Sequence, residues 1–223
     1  MMHDRFKYIL LLSSLPLHPK SFISAKQTPL SRIQLDKRLA LLSESDAAEL
    51  ARIESILRWG KNIDETDQSS VKANTQLLAL IKNPILNHIV SWRLELRTVL
   101  SALRIRQAGI SPATADGFYG YGKWPELIKK NWHEKEFGIG HLIPWLPEAN
   151  KLFEAGDSLE LEKFMLDLVW QYYARLGNDH YFDFVAVVIY VLRWDLISRW
   201  SSYDRDEAKL RFDELVSAGL VDF

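Results

Sequence analysis

Cysteine is absent from this chain. That excludes disulfides, cysteine-based zinc sites and thiol nucleophiles, and it accords with a reducing compartment. A net charge of one sign is missing too. The 28 basic and 29 acidic residues leave −1 overall, so nothing general draws the protein to nucleic acid. No G-x-S-x-G elbow occurs, and the α/β-hydrolase reading has no starting point. Neither an internal repeat nor a low-complexity segment is visible. The early apolar run from Tyr8 to Leu17 is interrupted by Ser13, Ser14 and Pro16 and is far too short to cross a bilayer. Arg5 and Lys7 before it and Ile23-Ser24-Ala25 after it give the outline of a signal peptide. Asp4 and the interruptions favour instead a first segment buried in the fold.

What is present is an ordinary globular composition with an unusual aromatic supplement. The chain has 223 residues, 48% apolar and 26% charged, with eight Trp. This length buries a real core, as one large domain or two small helical lobes. Large aromatics supply much area each, so the core, or a surface meant for a partner, is aromatic-rich.

The pattern predicts an all-α protein. Ser31 with Gln34 forms a capping box. Asp46 with Glu49 opens a helix running to about Trp59 and stopped by Gly60. Asn62 to Ser70 is polar and reads as a loop, followed by a helix from Val71 to Ile81. Asn83-Pro84 breaks the chain with Pro84 at a first helical position. In the next helix Ile85, Ile89, Trp92, Leu96, Val99 and Leu103 alternate spacings of four and three. That is a heptad-like seam packed along its length on a neighbour. Trp124 to Trp132 reads as a short helix with Glu126 and Lys130 paired. Gly138, Gly140, Pro144 and Pro147 interrupt any regular element after it. Asp157 with Glu160 caps a helix presenting Leu161, Phe164, Leu168 and Tyr172 on one face and closed by Gly177. Asp179 opens a strongly apolar helix through Trp200. A β-strand at Val185 to Val191 competes, but segment length and the lack of a hairpin partner favour helix. Asp204 with Glu207 caps the last helix, ending at Gly219. Pro112, Gly117, Gly120 and Gly122 mark the longest irregular connection. The expected organisation is therefore a lobe over residues 1–110, a connection over 111–123 and a second lobe over 124–223.

Chemistry-bearing motifs are few. Gly117 to Lys123 matches the first seven positions of a phosphate-binding loop, but Trp124 stands where a Mg²⁺-holding hydroxyl is needed, and no strand precedes it. His133, Glu134, Glu136 and His141 lack the zinc-protease spacing. Asn178, Asp179, His180 and Asp183 form a second short cluster in which Asp179 is better read as a cap. No catalytic residue, metal or cofactor is expected. Arg93, Arg97 and Arg104 fall within about 40° on a helical wheel, beside the seam. They pair within the chain or form a basic edge for an acidic partner protein. Trp194, Arg199 and Trp200, with Asp195 and Arg199 at i,i+4, make a second candidate contact patch, for which core packing is the plainer reading.

The opening Tyr8 to Leu17, the helix Asn87 to Ala108 with Trp92, Arg93, Arg97, Leu103 and Arg104, and the stretch Phe184 to Trp200 resemble a bacterial family of unassigned function. Its members are typically encoded with V/A-type ATPase subunits. That family looks like a shortened relative of the C/d component of those ATPases, an all-helical funnel of three lobes that seats the rotor shaft on the membrane ring. The present chain has room for two. The resemblance implies a non-catalytic coupling subunit. Its partners would be the central stalk and membrane ring, and it would lie in the cytoplasm, peripheral on the inner membrane through the complex. The other reading is a stand-alone helical adaptor or regulatory domain.

Overall fold

The computed structural model describes residues 3–58, 68–110 and 118–219, with side chains placed for residue 6 and for 8–58, 68–110 and 118–202. Its α-helices are α1 (His3–Ser14), α2 (Arg32–Leu39), α3 (Glu44–Leu57), α4 (Gln68–Ala79), α5 (Pro84–Gln107), α6 (Trp124–Lys130), α7 (Leu146–Ala155), α8 (Ser158–Gly177) and α9 (Phe184–Gly219). Short 3₁₀ turns lie at Phe22–Ser24 and Lys135–Gly138. The fold is all-α, and no strand occurs among the described residues. No helix among them is long and apolar enough to cross a membrane.

The chain divides into two compact units, one of residues 1–43 and 169–223, the other of residues 44–168. This differs from the expected 1–110, 111–123 and 124–223. The reason lies in α5, which packs on α3, α4, α6 and α7 and so puts residues from both sides of the expected connection around one core. Much of that connection, residues 111–117, lies outside the described part.

The continuous unit is organised around α5. Asn83 caps it, its Oδ1 accepting from the N–H groups of Ile85 and Leu86, and Pro84 occupies the first turn. The proline is the start signal read in the sequence; the Asn83 cap adds to it. The seam is real but broader than a heptad stripe. Ile89, Leu96, Val99 and Leu103 are buried, and so are Leu86, Val90, Leu94, Leu100 and Ala102. A helix covered on several sides needs more than one apolar stripe.

The glycines after α5 serve packing. The Tyr121 N–H donates to Thr98 Oγ1 at 2.8 Å. The Trp124 indole N–H donates to Glu95 Oε2 at 2.8 Å. Lys123 Nζ lies 4.7 Å from the Trp124 ring centre. A Cβ on Gly120 would fall 2.3 Å from Thr98 Cγ2 and 3.1 Å from Pro125 Cγ, so only a bare backbone passes α5 here. Gly117 itself lies outside the described residues. Further on, Pro147 starts α7 where the sequence suggested only interruption, because proline is tolerated in a first helical turn.

The second unit joins both parts of the chain. The capping box of Ser31 and Gln34 opens α2 as expected. In α1, Leu11 is buried, as is Leu15 just beyond it, while Phe6, Ile9 and Leu10 face outward, so the first segment is only half enclosed. In α8, whose residues up to Leu168 belong to the continuous unit, the expected face of Leu161, Phe164, Leu168 and Tyr172 is half-buried; the buried residues are Met165, Leu166, Val169, Trp170 and Tyr173. One position of rotation along an apolar-rich helix suffices for the difference. Asp183, not Asp179, caps the last helix, its Oδ1 accepting from the Ala186 N–H at 2.8 Å. Val185 to Val191 is helical, and the backbone continues as helix past Trp200 to Gly219 without the expected new start at Asp204. The cap expected from Asp204 and Glu207 falls on side chains outside those described.

Gly120→Ala is expected to lower stability by about 1–3 kcal/mol through overpacking against Thr98. Gly177→Ala, whose added Cβ would come no closer than 3.7 Å to Ile189 Cγ2, should be close to neutral. Urea denaturation of the two variants compares them directly.

Candidate functional site

The three aligned arginines of α5 do not share a surface. Arg93 is only 1% exposed. Arg97 is half-buried, and its Nη1 donates to the Ile56 carbonyl at 2.8 Å. Its Nη2 donates to the carbonyls of Leu57 at 2.6 Å and Arg58 at 3.2 Å. Those carbonyls end α3, where no further helical N–H is available to them. Arg97 is therefore a cation at a helix C-terminus, where the dipole favours its charge. Arg104 alone of the three is exposed. Side chains on one wheel sector meet different surroundings here because the α3 terminus reaches only the middle of α5.

Arg106, which wheel geometry did not single out, has a similar task. Its Nη1 donates to the Glu134 carbonyl at 2.9 Å and its Nη2 to Asn150 Oδ1 at 2.8 Å. The guanidinium lies 4.3 Å from the Phe137 ring centre. Burial lowers its pKa, opposed by nearby Glu154 and Glu136. Gln107 adds a bond to the Phe153 carbonyl at 2.6 Å. Together they brace the turn where Glu136 and Phe137 take positive φ of 52° and 55°.

The second candidate patch is also mostly interior. Trp194 is buried and its indole N–H donates to the Leu30 carbonyl at 2.9 Å. Trp200 is buried edge-on to Phe22, ring centres 5.5 Å apart. Arg199 is half-buried. The plainer reading, core packing, describes both tryptophans.

No group of three or more potential metal ligands comes together among the described residues. In the first cluster His133, Glu134 and His141 are exposed and Glu136 sits in the positive-φ turn. In the second, His180 Nδ1 contacts Asp183 Oδ2, and the other oxygen of Asp183 caps α9.

Beside the second patch lies a polar and aromatic cluster that the sequence did not announce. His18 stacks on Tyr190 with ring centres 4.1 Å apart and meets Trp170 edge-on at 6.0 Å. Its Nε2 bonds the Tyr190 carbonyl at 3.0 Å. Since a carbonyl only accepts, Nε2 carries the proton, and Nδ1 is buried without a hydrogen-bond partner. The Tyr190 hydroxyl donates to the Pro16 carbonyl at 3.0 Å, and burial pushes that phenol up to about 12. Arg193 lies over Trp170, 3.9 Å from the ring centre. Burial pushes the His18 imidazole from 6.5 down to about 4; the Tyr190 carbonyl opposes this and Arg193 reinforces it. A histidine between Pro16 and Pro19, after an apolar run, was the available signal. Its distant partners on α8 and α9 were not readable.

A family model described as "Protein of unknown function (DUF2764)" matches residues 13–219. No curated protein and no solved structure matches the chain.

Two outcomes follow from this geometry. Arg97→Ala should cost about 2–4 kcal/mol of stability, since a charged donor is lost and three carbonyls are stranded. Arg104→Ala should cost at most about 0.5 kcal/mol; chemical denaturation measures both. For His18, the folded pKa lies below the unfolded one, so the unfolded chain binds the extra proton. Its contribution is therefore full above about pH 7 and is lost as pH falls from 6.5 toward 4, by on the order of 3 kcal/mol. His18→Gln should flatten that limb of a stability-versus-pH curve; an unchanged limb would assign the acid sensitivity elsewhere.

Proposed function

The chain belongs to the family of that model, one of unknown function, and on that premise we propose that it is a non-catalytic structural subunit of a V/A-type rotary ATPase, linking central shaft to membrane ring. One observation carries the partner-binding part. Phe6 and Leu10 of α1 are 65% and 62% exposed, and Leu17 just beyond is 94% exposed. Apolar side chains gathered on one short segment and facing water favour a protein surface that covers them. The choice of a rotary ATPase rests on the resemblance of Tyr8 to Leu17, Asn87 to Ala108 and Phe184 to Trp200 to a family encoded with such subunits. An all-helical build is compatible with a C/d-like role. The chemistry of the role is mechanical: packed helices transmit torque and position without a reaction step. In this reading the protein lies in the cytoplasm, peripheral on the inner membrane through the complex.

Affinity purification of the tagged protein from gently solubilised membranes tests the proposal. Stalk and ring subunits are expected to co-purify in fixed ratio, and Leu10→Glu with Leu17→Glu should release them while helicity is kept. Recovery of the protein alone, or with an unrelated partner, beside an intact ATPase would replace it with the stand-alone adaptor reading.

A further inference from the structure

Several arginines of this fold spend their donors on backbone and amide oxygens. Arg97 donates to carbonyls at the end of α3. Arg106 takes a carbonyl and an amide oxygen. Arg38 donates to the carbonyls of Ser14 and Gln34, each at 3.0 Å. Arg193 is half-buried like Arg97 and Arg106, yet no described hydrogen bond or ion pair engages it. Its Nε is buried without an acceptor. One face of the guanidinium is taken by Trp170, and burial lowers its pKa with no opposing carboxylate. A partly desolvated cation with no counter-charge is costly, and an incoming anion would recover that cost.

We propose that Arg193, held over the Trp170 ring beside His18, receives the carboxylate of an acidic side chain on a partner protein. The Nη end is the part outside the buried set, and its two parallel N–H donors match the two oxygens of a carboxylate. The cation–π contact with the indole holds the guanidinium in place before the partner arrives. His18 is neutral at physiological pH, and Arg38, whose charge also reaches Tyr190, already donates to the carbonyls of Ser14 and Gln34, so Arg193 is the cation left to meet a monoanion. The surroundings define the partner further. Pro16 and His18 are both bonded to Tyr190, and Leu17 between them is 94% exposed. The expected ligand is therefore a Glu or Asp flanked by apolar residues. This holds for any assembly the protein joins and is independent of the rotary ATPase.

The test uses the full chain and three matched probes: a short amphipathic leucine-rich helical peptide bearing a single Glu, the same peptide with Gln, and the same with phosphoserine. Binding is followed by the Trp170 indole resonance and by calorimetry. The Glu peptide is expected to bind about ten-fold tighter than the Gln peptide, to exceed the phosphoserine peptide, and to shift Trp170. Arg193→Gln should abolish the Glu preference. The Glu and Gln comparison on the unaltered protein stands even where that variant does not fold. Equal binding of Glu and Gln, no binding of either, a preference that survives Arg193→Gln, or tighter binding of phosphoserine would each overturn the proposal.

Discussion

Backbone carbonyls that no helix can satisfy are the constraint on which this fold depends. Each helix end and each connecting segment leaves oxygen atoms without a backbone N–H, and burying them unpaired is costly. Here they are met from a distance by long side chains on the major helices. Arg97 reaches the end of α3 and Gln107 reaches Phe153. In the other unit the Trp170 indole reaches Lys20, the Trp194 indole reaches Leu30 and the Tyr190 hydroxyl reaches Pro16. These residues combine large apolar bodies with a donor at the tip. That is a physical reason for the aromatic supplement: each such tryptophan fills core volume and closes a carbonyl in one stroke.

Because the same residues fill and fasten, Arg97 and Trp194, which looked like parts of contact patches, are fastenings. Arg193 differs in having a body that is packed and a tip that is not used. The contrast is informative because it arises among residues of one kind in one fold. Exposed apolar side chains near it, such as Leu17, then have a charged companion.

The local grammar of the fold was legible in the sequence. Ser31 with Gln34, Asn83 with Pro84 and Asp157 with Glu160 mark helix starts that the structure carries. Short-range hydrogen bonds follow from neighbouring residues alone, so one sequence suffices. One short-range choice was ambiguous: Asp183 caps the last helix in place of Asp179, a choice between two equivalent carboxylates. Longer-range features were not legible. The buried side of α8 is shifted from the predicted stripe, because apolar residues cover much of its circumference. His18 could not be paired with residues more than 150 positions away. Arg93, Arg97 and Arg104 look equivalent on a wheel, and only the tertiary neighbours separate them.

The division of the chain bears on the order in which it can acquire structure. One unit is an uninterrupted stretch, residues 44–168, whereas the other draws on residues 1–43 and 169–223. During synthesis the first 43 residues leave the ribosome early, and the central stretch can condense next, while the closing segment from residue 169 onward is still unmade. Those early residues include Leu11, Leu15 and Phe22, whose enclosure requires α8 and α9. A nascent chain therefore holds these apolar side chains without their native cover until the segment from residue 169 onward has been made.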